Sequence, residues 1–139
     1  MRNTLAVVLA AGGLLLAATP IWAHHAFAAE FDADKPIKFT GVVTKMEWIN
    51  PHAWIRIDVK GADGTVTPWM IEAAAPNSLL RRGFNKNSLL AGTEIVVEGF
   101  QAKDGTNRAN GSVITFTDGR KLFVGSQAGE AGAAPGAPK

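Results

Sequence analysis

The chain contains neither cysteine nor tyrosine among its 139 residues. Without thiols it can carry no disulfide scaffold, no thiolate metal centre and no cysteine nucleophile. It also lacks an excess of either charge, with 14 basic residues against 12 acidic. That balance gives no electrostatic drive towards nucleic acid or an anionic membrane. No metalloprotease, phosphate-loop or nucleophile-elbow motif is present, and Ser78, Ser88, Ser112 and Ser126 stand in no such setting. Asp63-Gly64, Asp104-Gly105 and Asp118-Gly119 are turn pairs without the ligand spacing of a calcium loop. These absences lean away from an enzyme.

The one long apolar run is at the start. Arg2 precedes the stretch Leu5 to Ala18, Pro20 breaks it, and Ile21-Trp22-Ala23 ends on a small residue. This is the pattern of a secretory signal over residues 1–23, which places the protein in the periplasm or outside the cell. Ala26-Phe27-Ala28 offers a competing cleavage site, and an uncleaved anchor over Leu5 to Ala23 is a third reading. Cleavage after Ala23 takes away Arg2 alone among the charges and leaves 116 residues beginning at His24, with no stable membrane span.

The remainder reads as one β domain over residues 24–125, followed by an Ala/Gly/Pro tail, 126–139, with too few apolar residues to order itself. Residues 24–36 have no clear period and suggest an extended arm, with Phe27 and Phe31 on one side of any short helix. A strand is expected from Phe39 to Trp48, bent at Gly41. His52 to Val59 then alternates, with Ala53, Ile55, Ile57 and Val59 on the core face and His52, Trp54, Arg56 and Asp58 on the other. Gly61 to Gly64 signals a hairpin into a third strand, Thr65 to Ala73. Pro76 to Gly83 reads as a short helix, capped by Asn77 or Ser78 and closed by Gly83. Strands over 93–103, 108–117 and 121–124 complete the order. Three strands, a helix and two or three more strands match a small all-β OB-like barrel of five to six antiparallel strands, with one short helix between strands 3 and 4. Glu47, Glu72 and Glu98 lie within these strands and are expected to face solvent.

Several strings resemble one family. They are His24-His25-Ala26-Phe27, Glu30-Phe31-Asp32, Glu47 to Ile55 (EWINPHAWI), Leu79 to Phe84 (LLRRGF), Val97-Glu98-Gly99 with Ala102 to Gly105, and Asp118 to Phe123 (DGRKLF). Over His24 to Gly125 the chain resembles exported bacterial proteins of the family called domain of unknown function 6152. The resemblance implies export and a single small β domain. It implies no activity and no substrate.

The three histidines form the sharpest chemical pattern. Cleavage after Ala23 would free the amine of His24, which with its own ring can chelate a metal, while His25 or His52 adds a further imidazole. Amine and imidazole donors suit copper and other divalent metals. Glu30, Asp32, Asp34 or Glu47 can add an oxygen or orient a ring. The plain alternative is a solvated histidine tail and a His52 that only hydrogen-bonds its turn. A second candidate is an aromatic and basic face of Trp54, Arg56, Trp69, Arg81 and Arg82, which would take a small ligand or an envelope protein without metal. Its plain alternative is that Trp48 and Trp69 are core and Trp54 covers a strand edge.

Overall fold

A computed structural model describes residues 27–126. Six strands appear in the expected order, β1 (Phe31–Glu47), β2 (Trp54–Lys60), β3 (Val66–Glu72), β4 (Glu94–Ala102), β5 (Arg108–Phe116) and β6 (Lys121–Phe123). One helix, α1 (Pro76–Arg81), lies between β3 and β4, and residues 27–30 are helical ahead of β1. The bonded order is β3-β2-β1-β4-β5-β6, and β3 also pairs with β5, so the first five strands bond into a ring. The closing β3–β5 pair is parallel, whereas every other pair is antiparallel. That is the single departure from the all-antiparallel expectation.

The alternation in β2 has the effect its period requires. Ala53, Ile55 and Ile57 are fully buried, and they meet Val43, Ile71, Ile95, Val97, Ala109 and Ile114 from the other strands of the ring. Burying an Ile or Leu side chain contributes about 1.5–3 kcal/mol, so this set supplies the main driving force for closure. Leu79 on α1, with Phe84 and Leu89 from the segment after it, fill the core beside the strands.

Local chemistry accounts for the remaining features, with three corrections. The first irregularity opposite β2 falls between Val43 and Lys45 rather than at Gly41. Gly41 stays in register with Ile95, and its missing Cβ leaves room for the Ile57 side chain. Helix α1 starts at Pro76, but its N-cap is Ala75 rather than Asn77 or Ser78, and it has no side-chain cap. Pro76 suits that first position because its ring fixes φ and its absent N–H is not missed. The arm is not extended throughout, since residues 27–30 are helical and β1 begins at Phe31, paired with Ala102. The exit from α1 is as the sequence indicates: Gly83 has φ +80°, the Gly83 N–H donates to Leu80 O and the Phe84 N–H to Leu79 O. Those two bonds are the Schellman closure of a helix end.

Candidate functional site

Strand register draws one line of residues across the ring. Glu47 faces Trp54 across β1–β2, Trp54 faces Glu72 across β2–β3, Glu72 faces Asn110 across β3–β5, and Asn110 faces Phe100 across β5–β4. Directly paired residues share a face of a sheet. The line is polar at its centre, and its centre is covered: Glu72 is 6% exposed and Asn110 2%. Glu72 was expected to face solvent, and this is a fourth correction.

His52 precedes β2 and turns its ring towards this buried centre. Its Nδ1 lies 3.0 Å from Glu72 Oε1, and Asn110 Nδ2 donates to the same oxygen at 3.2 Å. Burial pushes the Glu72 carboxyl above its ordinary value of 4.5, and the charge of Glu30 adds to the push. The charge of His52 and the hydrogen bonds from Asn110 and His52 pull it back. With Nδ1–H donating to the carboxylate, the lone pair of the imidazole resides on Nε2. A histidine tied in this way has its ring oriented and its tautomer fixed. Its outer nitrogen can then ligate a metal.

The arm reaches the same place. Phe27 packs on Phe31 and edge-on against Phe100, with ring centroids 5.8 Å apart in each pair. Lys103 Nζ donates to Ala28 O at 2.6 Å, and the Lys103 N–H donates to Glu30 O at 2.9 Å. The Glu30 carboxylate pairs with Arg108 at 2.8 Å, within the electrostatic field of Glu72.

Of the histidine candidates, His52 lies in this cluster, and His24 and His25 lie outside the described residues. Among the described residues no group of three or more His, Asp or Glu side chains could hold a metal by itself. The aromatic and basic candidates are dispersed. Trp54 and Arg56 share a face of β2, and Arg56 Nε donates to Glu47 Oε1 at 3.0 Å. That guanidinium, followed by Lys45, holds the Glu47 carboxyl below its usual range. Trp69 pairs with Ile57 and packs on Phe39 at 4.7 Å, against the core. Arg81 donates to Ser78 on its own helix, while Arg82 donates to the carbonyls of Phe123 and Gly125.

Sequence reasoning passed over Asn110 and Arg108, and took Glu72 for a surface residue. The first two sit in a strand, and their side-chain partners, Glu72 for Asn110 and Glu30 for Arg108, lie 38 and 78 positions away, so no local spacing marks them. Among the described residues no helix is long and apolar enough to cross a membrane.

Comparison with known proteins adds a family and nothing functional. The model of the family of unknown function DUF6152 matches residues 11–111, and the chain belongs to that family. No curated protein and no solved structure matches.

Proposed function

We propose that this member of an uncharacterised family is a small exported binding protein that holds copper or another divalent metal. His52 Nε2 is the fixed ligand, and His24 and His25 supply the others from the arm. The observation that carries this reading is the bond from His52 Nδ1 to the buried Glu72, 3.0 Å long and backed by Asn110. A histidine that served only its turn would have no need of a buried carboxylate, whose desolvation is costly unless it is matched by firm partners. Carboxylate-oriented histidine is the usual arrangement behind a metal ligand.

The packing of the arm supports the first of the two cleavage sites. Cutting after Ala28 would remove Phe27 from its contacts with Phe31 and Phe100, and would cut the chain at the carbonyl that receives Lys103. Cutting after Ala23 keeps these contacts and frees the amine of His24.

Calorimetric titration of Cu(II) into protein beginning at His24 tests the proposal. The expected dissociation constant is tighter than ~10 µM, weakened about tenfold or more by His24→Ala and by His52→Ala. Affinity weaker than tens of micromolar, or indifferent to both substitutions, would overturn it.

A further inference from the structure

We propose that the α1 end of the ring docks the protein on a bilayer surface carrying anionic lipid. Exposed cations and apolar side chains of α1, of the segment after it and of β6 make the contact, which does not depend on the metal reading above. The near balance of charge over the chain conceals a local asymmetry. Residues 73–93 contain Arg81, Arg82 and Lys86 and no Asp or Glu, between the buried Glu72 and Glu94 at the start of β4. Ile49, Leu80, Leu90 and Phe123 are each more than half exposed. The fold gathers them from distant parts of the sequence. Arg82, at the end of α1, donates to Phe123 O at 3.2 Å and to Gly125 O at 2.7 Å, which sets α1 beside β6. Lys121 and Phe123 share the exposed face of β6. Trp48 stacks on Phe84 with ring centroids 6.1 Å apart, which brings Ile49 to the segment after α1. The Gly92 N–H donates to Val43 O, which ties the stretch carrying Leu90 to β1.

Single exposed apolar side chains are ordinary on a protein surface, and the charge beside these is what sets them apart. Among the described residues Arg81, Lys86 and Lys121 form no ion pair, whereas Lys38, Lys45, Arg56, Arg108 and Arg120 are each matched to a carboxylate. Arg81 adjoins Leu80, and Lys121 stands two residues from Phe123, so these cations accompany exposed apolar side chains. Exposed charges more than about 8 Å away are screened at physiological salt, so the local set, and not the net charge, decides what this end attracts. Anionic headgroups complement the cations, and the acyl boundary beneath them accepts apolar side chains that project from separate elements. A folded acidic partner would need a complementary recess for each of those side chains.

Vesicle flotation at physiological ionic strength tests the proposal. It uses protein beginning at His24, which omits the apolar run of residues 5–18 and keeps every element described. Vesicles of phosphatidylcholine alone are compared with vesicles of equal parts phosphatidylcholine and phosphatidylglycerol. The expected result is binding to the mixed vesicles only. Arg81→Gln combined with Lys86→Gln should weaken it about tenfold or more, and so should Leu80→Ser combined with Phe123→Ser. Both double variants should keep a thermal midpoint near that of wild type, since the four side chains are exposed. In nuclear magnetic resonance of the wild type, a spin-labelled lipid should broaden the amides of Leu80, Leu90 and Phe123. The turn at Asp104, beyond the far end of β4, should stay sharp. Should a variant unfold, this broadening pattern decides alone. Binding to neither vesicle, equal binding to both, or broadening as strong at Asp104 as at Leu80 would overturn the proposal. Binding weakened by the charge substitutions but untouched by the apolar pair would mark a purely ionic contact, which an acidic protein could equally make, and would overturn docking into lipid.

Discussion

The chemistry of the protein concentrates on one buried carboxylate. Glu72 accepts hydrogen bonds from the His52 ring and the Asn110 amide on the same oxygen, and burial opposes its charge. Each donor matters more than it would at the surface, because a buried acceptor that loses its partner retains the full desolvation penalty. Asn110→Ala is therefore expected to destabilise the fold by about 1–3 kcal/mol, read as a lower urea midpoint. A shift of a few tenths would mean that water takes the place of the amide. The same geometry sets the tautomer of His52. Nitrogen-15 chemical shifts of the neutral imidazole should place the proton on Nδ1, with Nε2 unprotonated. Finding the proton on Nε2 would break the link between Glu72 and the outer nitrogen.

Among the elements, the crossing of β4 over β5 leaves the least freedom. Gly99 pairs with Gly111, beside the register shift between Glu98 and Gly99. A Cβ at Gly99 would overlap the carbonyl of Asn110, and one at Gly111 would stand 2.7 Å from Ile71 Cγ2. The obstacle at Gly99 is backbone, which cannot rotate away. Gly99→Ala should cost about 1–3 kcal/mol and disturb Asn110, and with it the hold on Glu72. A thermal midpoint equal to that of wild type would show that the strands can separate there. This level also marks how far the sequence could be read. The strands of the ring are half-buried, so the period of two in His52 to Val59 carried the core face directly, and Pro76 and Gly83 bounded α1. His52 stood out because histidine is scarce. Glu72 did not, because its burial depends on the parallel pairing of β3 with β5, between residues 38 positions apart. Nothing in the neighbourhood of either strand encodes that partner.

For the whole molecule, exposed carboxylates shape the response to acid. Glu47 is held below 4.5 by Arg56 and Lys45, and Asp63, Asp104 and Asp118 are held below 3.8 chiefly by hydrogen bonds from Thr65, Thr106 and Arg120. A carboxylate whose folded pKa is depressed contributes stability that is present above its unfolded value and lost as pH falls through its folded one. Glu72 runs the other way, its contribution being complete below 4.5 and lost as pH rises through its raised value. The thermal midpoint is thus expected to fall as pH drops from 4.5 through 3.8 and below, less steeply in Asp63→Asn and Asp104→Asn. A midpoint constant over that range would remove these groups from the acid response. The ring and the Glu72 cluster orient the His52 imidazole, and the proposed metal site would join its Nε2 to His24 and His25. Electron paramagnetic resonance of the one-to-one Cu(II) complex, in protein beginning at His24, counts the nitrogens that meet there. The expected outcome is a nitrogen hyperfine pattern that loses one coupled nitrogen in His52→Ala; identical spectra from the two proteins would show that His52 is not a ligand.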